Sequence, residues 1–311
     1  MIEVRGLTKR YGDRLAVDDV TFSVQPGVVT GFLGPNGSGK STTMRLILGL
    51  DAPNAGTALV DGRVYRDIPA PLHEVGAMLE AHAIHTGRSA RNHLRALAQT
   101  HGISDQRVEA LIDLVGLREV ARQRAGTFSL GMKQRLGIAS SLLGDPRVVV
   151  LDEPVNGLDP EGIRWVRELL RSLAAEGKTV FLSSHMMSEM ALIAERLVVI
   201  GKGRLIADTS AQEFIAQASA GAPVTVASPR ASELGAALER AGAQVGSGDA
   251  DRLVVIGIQA AAIGDIAADL GIAVHELTPQ QLSLEDAFMQ ITRSSVEFHI
   301  GADDRALQEV A

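Results

Sequence analysis

Residues 34–41 read GPNGSGKS, and their types and spacing are those of a loop that wraps phosphate. The glycines let backbone amides turn inward around anionic oxygens, Lys40 reaches β- and γ-phosphates, and Ser41 offers a hydroxyl to Mg2+. The pattern G-x-x-x-x-G-K-[ST] is met in full. The apolar run "VVTGFLG" before it reads as a buried strand, and residues 41 to about 48 after it read as a helix. A glycine-rich turn with a chance lysine is the bland alternative, and both flanks argue against it.

Three further groups belong with that loop. In "RVVVLDEP" a buried strand ends in Asp152, placed to face a metal ion held by Ser41. Glu153 follows at once, and a carboxylate beside a γ-phosphate can orient an attacking water and accept its proton. Two acids after an apolar strand also suit a solvated turn, a reading that weakens beside a phosphate loop. His185 closes "TVFLSSH"; a lone His is usually structural, but this one leaves a strand's carboxyl end, where α/β proteins gather ligands. Finally, Ser129 and Gly131 stand ahead of a helix expected over 133–143, the grammar of an anion-binding helix N-terminus.

The elements that must position these residues alternate. "IEVRGLTKRYG" and "VDDVTFSVQPG" read as strands about a turn, and "TALVDGRVY" as a hairpin turning at Asp61 and Gly62. Residues 86–145 take helical periodicity, as in "ARNHLRALAQTHG". Then come the strand before Asp152, a helix around 165–175, "TVFLSS" as a strand, a helix ending near 196, and a closing hairpin, "LVVIGKGRLIA". Strands alternating with helices predict an α/β core with a parallel sheet and an all-helical insert. The remainder reads as a small βαββαβ-like domain: strands "PVTVAS", "AQVGS", "RLVVIGI" and "AVHEL", with helices "ASELGAALERAG", "AAAIGDIAADLG" and "LSLEDAFMQIT".

Composition sets limits. The 311 residues are 46% apolar, enough for one large core and one smaller. Cysteine is absent, which excludes disulfides and thiolate metal sites and fits a reducing compartment. "MIEVRGLTKRYG" is polar and reads as strand rather than secretory leader, and no run of about 18 apolar residues occurs. Aromatics make up 3%, a poor stock for stacking bases. Of the net charge of −7, residues 220–311 carry −8, from five Arg against thirteen Asp and Glu. That break, beside the small and polar "TSAQEFIAQASAGAP", marks a domain boundary near 210–222, and an acidic domain repels nucleic acid.

Phosphate loop, S-x-G before a helix, an apolar strand ending in Asp-Glu, and a distal His, in that order, resemble the ATP-binding subunit of ABC transporters over residues 1 to about 210. The resemblance implies a P-loop ATPase core with an antiparallel β-subdomain and a helical insert, plus a small C-terminal α+β domain. Its implied bounds are 1–215 for the ATP-binding domain and 220–311 for an accessory domain with a poorly defined tail after about 293. ATP and Mg2+ are the implied ligands, on Gly34, Pro35, Asn36, Gly37, Ser38, Gly39, Lys40, Ser41 and Thr42, with Ser41 and Asp152 on the metal. Glu153, His185 and Lys40 would be catalytic. In the family the S-x-G segment is the signature LSGGQ and binds the ATP of the other chain in a head-to-tail dimer. Here it reads Phe128-Ser129-Leu130-Gly131-Met132, a departure at three of five positions, with Lys133, Gln134 and Arg135 continuing as the family would.

Tyr11 matches the aromatic that stacks on adenine, though a Tyr beside a strand turn also serves as packing. Asp159 in "NGLDP" matches an acid that contacts the opposite subunit. Glu80 falls where most relatives have a glutamine near the metal; a solvated surface Glu is the alternative. Trp165 reads as ordinary packing. "SLGMKQRLGIA" and "LSLEDAF" resemble the drug- and antibiotic-resistance exporters within the family. The implied setting is a homodimer in the ATP-bound state, on the cytoplasmic face of the membrane, working with a separate permease and no nucleic acid. A soluble relative acting on ribosomes or DNA, and an importer subunit, are the competing readings.

Overall fold

The computed structural model describes residues 1–80, 83–219, 222–247, 251–280 and 282–292. The chain divides into two compact units, one beginning at Met1 and running to Thr209, the next spanning Ser210–Ile291.

The first unit holds two sheets. Strands β1 (Ile2–Tyr11), β2 (Arg14–Val24) and β4 (Ala55–Val60) form an antiparallel sheet in the order β2-β1-β4. Between β2 and β4 come β3 (Val29–Leu33) and helix α1 (Lys40–Ile47). Helix α2 (Pro71–Glu74) leads into β5 (Val75–Met78), and then α3 (Ala90–Thr100), α4 (Asp105–Leu114) and α5 (Leu130–Ser141) form the helical insert. The chain continues through β6 (Val148–Asp152), α6 (Pro160–Ala175), β7 (Thr179–Ser183), α7 (Met187–Ile193), β8 (Arg196–Gly201) and β9 (Arg204–Ser210). The second sheet has the order β5-β6-β7-β3-β8-β9.

Its inner strands explain their composition. Every residue of β3 and β7 is buried, as parallel strands covered on both faces must be. Phe32 of β3, Phe181 of β7 and Phe22 of β2 stack with ring centroids 5.0 to 5.8 Å apart, joining the two sheets in one core. Parallel register then aligns the strand ends. Ser183 pairs with Asp152 on one side and with Phe32, two residues before the phosphate loop, on the other. Three neighbouring strands thus deliver Gly34, Glu153 and His185 to one edge of the sheet.

The second unit opens with α8 (Ala211–Ser219) and continues as β10 (Val224–Ala227), α9 (Ala231–Arg240), β11 (Gln244–Ser247), β12 (Arg252–Ile256), α10 (Ala260–Asp269), β13 (Glu276–Pro279) and α11 (Leu284–Thr292). Its sheet, ordered β11-β12-β10-β13, is antiparallel throughout. Val226, Val255, Leu234, Leu238 and Ile263 form its core, so this unit is α+β.

Several local expectations need correction. Asp61 and Gly62 do make a tight turn, with φ of 47° and 77°, but only one rung forms, between Val60 and Arg63. The partner of β4 is β1, while Tyr65 lies in a helical turn and packs on the core. In the boundary stretch Thr209 and Ser210 end β9, and Ala211–Ser219 form a helix not read from sequence, with Ala211, Phe214 and Ala218 buried at helical spacing. Helix α7 stops at Ile193, before the expected 196, because the Glu195 amide bonds to Val29 and Arg196 starts β8. Pairing with β10 draws β13 to 276–279, beyond the expected "AVHEL". The tail expected after about 293 lies outside the described residues.

Candidate functional site

The loop from β3 to α1 is shaped by what glycine leaves out. A Cβ on Gly34 would stand 2.4 Å from Ser38 Oγ and 2.5 Å from the Ile200 carbonyl oxygen. One on Gly39, where φ is 105°, would meet the Ala16 carbonyl at 2.5 Å. Lys40 folds back over this loop, and its Nζ donates to the carbonyls of Gly34 (2.5 Å) and Pro35 (3.1 Å). Burial lowers the Lys40 pKa, while the charges of Glu153 and Asp152 act in the opposite direction. Ser38 Oγ is buried with no partner among the described residues, an orphan that an incoming phosphate oxygen would satisfy.

The loop forms the floor of a cleft of about 580 Å³. Asn36, Gly37, Gly39, Lys40, Ser41 and Thr42 line it with Asp152 and Glu153, and Tyr11, Arg14 and Ala16 supply the other wall. Ser41 Oγ donates to Asp152 Oδ2 at 2.9 Å. The other Asp152 oxygen accepts from Ser183 Oγ, so both are oriented. A hydroxyl and a carboxylate are hard oxygen donors suited to Mg2+, which takes its remaining ligands from phosphates and water. No group of three or more His, Cys, Asp or Glu side chains gathers at a metal-binding distance among the described residues.

Glu153 follows in an unusual conformation, with φ at 52°. Its N–H reaches Ser183 Oγ at 3.1 Å. Its carbonyl accepts from Gln134 Nε2 of α5 at 2.7 Å. Its carboxylate Oε2 accepts the His185 N–H at 3.2 Å and lies 2.7 Å from His185 Nδ1. The three residues read from sequence at two strand ends therefore meet, and Ser183 and Gln134 join them unforeseen. Ser183 reaches Asp152 through strand register, which no local pattern reveals. Gln134 carried a weak signal, its place in the run after Gly131.

A second cavity of about 380 Å³ lies at the start of α5, lined by Ser129, Leu130, Gly131, Met132, Arg135, Gly157, Leu158 and Asp159. Ser129 caps the helix, accepting the Met132 N–H at 3.2 Å, so α5 opens at Leu130. Gly131 is therefore inside the first turn, not ahead of it, a correction that the cap explains. Asp159 likewise caps α6 by accepting from Gly162 at 2.9 Å. Leu130 rests on Gly157, where a Cβ would come within 2.2 Å of its side chain. Arg135 lies 4.9 Å over the Trp165 ring and donates to the Val115 carbonyl at 3.1 Å. Trp165 thus does more than fill space, since it carries a guanidinium at the cavity wall.

Two residues remain to be located. Tyr11 is 45% exposed at the cleft; its hydroxyl donates to Asp51 Oδ2 at 2.8 Å, and Lys9 Nζ stands 4.9 Å over its ring. Asp51 also pairs with Arg45 at 2.7 Å, and neither partner was foreseen. Glu80 lies apart from the cleft lining, exposed just beyond β5, and its charge is felt by Arg45.

Known proteins bear on this geometry. Residues 17–156 match the ABC transporter family, and residues 222–285 match a domain family of unknown function, DUF8746. The lantibiotic transport ATP-binding protein SrtF of Streptococcus pyogenes is 37% identical over 208 residues, covering 66% of this chain and 89% of that protein. The bacitracin transport ATP-binding protein BcrA of Bacillus licheniformis is 39% identical over 209 residues, 66% of this chain and 68% of its own length. Among solved structures, an ATP-binding subunit of an ABC transporter superposes with a TM-score of 0.65 at 29% identity, over 70% of this chain and 92% of that one. A phosphate loop joined to two strand-end acids, on a chain this close to such relatives over their length, makes this protein a member of the ABC transporter ATP-binding family, an ATPase.

Proposed function

We propose that this ATPase powers a separate membrane permease that exports drugs or antibiotics, and that it does so as a homodimer closing over two ATP molecules. The names of the lantibiotic and bacitracin transport proteins support the cargo class. No helix among the described residues is long and apolar enough to cross a membrane. In this reading the permease does the crossing and the chain binds at the cytoplasmic face. The bounds 1–215 and 220–311 assign nucleotide chemistry to the first part and an accessory role to the second, whose acidity disfavours nucleic acid.

One observation carries the chemistry: Ser41, Asp152, Glu153 and His185 are joined by a continuous set of contacts beside Lys40. The loop amides of residues 34–42 and Lys40 hold the phosphates, and Tyr11 offers its ring to adenine. Ser41 and Asp152 would hold Mg2+, which offsets negative charge on the β- and γ-phosphates. Glu153 orients the attacking water and accepts its proton. His185, with Nδ1 turned to Glu153, has Nε2 to offer the γ-phosphate. Ser129, Gly131 and Asp159 serve the partner's nucleotide. Glu80 approaches the metal side only on closure.

Purification from membranes tests the assignment of class. A co-purifying permease whose cargo stimulates ATP hydrolysis is expected. Ribosomal RNA in its place would move the chain to the soluble ATPases. Deleting residues 220–311 should leave nucleotide binding intact and alter only dimer stability or coupling; a truncated chain that binds no ATP would show the bounds to be wrong.

A further inference from the structure

Glu153 holds a backbone conformation that L residues rarely adopt, with φ at 52°. Such a conformation persists where neighbours over-determine it. Two elements do so here. From β7, Ser183 accepts the Glu153 N–H; from α5, Gln134 donates to the Glu153 carbonyl at 2.7 Å. Gln134 is 2% exposed, so its amide is not free to exchange this bond for one to water, and removing it takes from the part-buried Glu153 carbonyl a donor held in place by the helix. Yet α5 is the helix that Ser129 caps, the segment assigned above to a partner's nucleotide. A residue of that helix touches the acid that works on the chain's own.

We propose that Gln134 is a positioning residue for Glu153, acting on the nucleotide of its own chain rather than on the partner's. The inference rests on the assignment of Glu153 as the group that orients water. Releasing the Glu153 carbonyl frees the peptide to leave its left-handed conformation, which turns the carboxylate off His185. A displacement of about 1 Å at a reacting group costs about 10²-fold in rate. The loop of residues 34–42, which holds the phosphates in every chain, is untouched, so affinity should change little.

The first measurement is steady-state ATP hydrolysis by Gln134→Met, which keeps the side chain's length and removes its donor. A fall in kcat of about 10- to 100-fold is expected, with KM for ATP within about twofold. An unchanged kcat, or a loss taken up in KM, overturns the proposal. If Gln134→Met does not fold, Gln134→Glu, of the same shape, replaces it. The second measurement separates the chains. Mixing Ser129→Arg with Lys40→Ala leaves one composite site, whose Glu153 belongs to the Ser129→Arg chain. Gln134→Met should lower the remaining rate at least about tenfold more on that chain than on the other. Equal losses, or a larger loss on the Lys40→Ala chain, would assign Gln134 to helix packing or to the partner's site and refute the inference. Failure of the underlying assignment looks different: Glu153→Gln would then hydrolyse ATP at the normal rate.

Discussion

The phosphate-loop cleft and the cavity at the start of α5 both carry polar side chains, but those groups are spent differently. In the cleft the side chains hold one another: Ser41 on Asp152, Asp152 on Ser183, Glu153 on His185. In the cavity Ser129 and Asp159 hold only the first turns of their own helices. The first arrangement is organised for chemistry before any ligand arrives. The second offers capped helix ends and small residues. That contrast suits the proposed division of the site between two chains, with one part doing the reaction and the other completing the enclosure.

The largest expected effect tests the organised side. Glu153→Gln should bind ATP yet lose about 10²- to 10⁴-fold in hydrolysis, accumulating a dimer visible by gel filtration with ATP and Mg2+. A monomeric variant with the normal rate would break the contrast at its first term. Ser129→Arg tests the docking side: hydrolysis should drop by about 10²-fold, while ATP affinity of the isolated chain, read by equilibrium titration, stays unchanged. Weakened monomer binding would mean that the cavity belongs to the chain's own nucleotide.

Asp159→Ala sharpens the claim that these polar groups are caps. Loss of an N-cap costs about 1 kcal/mol, a fall of about 2–4 °C in the melting temperature. A melt identical to the wild type would deny the cap its role. The smallest effect concerns Asp51, whose carboxyl pKa is held below its ordinary value first by Arg45 and then by Tyr11. Stabilisation from that depression is complete above the ordinary value of 3.8 and is lost as pH falls through the lowered one. Melting curves of wild type and Asp51→Asn should therefore differ above that point and converge below it. A constant gap across the acid range would show that Asp51 acts by shape alone.

What could be read in advance was local. The phosphate loop is contiguous, and its neighbours announce themselves as an apolar strand and a helix. Asp152, Glu153 and His185 were legible for the same reason, each following a buried strand. Ser183 was not, because its role arises from register between β6 and β7, separated by the whole of α6. Gln134 was visible as a residue and silent as a contact, since its partner lies on another strand's end. Helix α8 was legible but went unread: inside the stretch taken as a domain boundary, Ala211, Phe214 and Ala218 already carried helical spacing.

Trp165 is the chain's single tryptophan, and Arg135, on the helix that Ser129 caps, lies against its ring. Indole emission therefore reports on one place, the wall of the cavity at the start of α5. A guanidinium drawn off the ring would change the polarity beside it, and intrinsic fluorescence would follow engagement of that cavity in real time, with no label attached. The same signal should stay still when nucleotide enters the phosphate-loop cleft of an isolated chain. Occupancy and dimer closure, which a rate measurement combines, would then be observed as separate events.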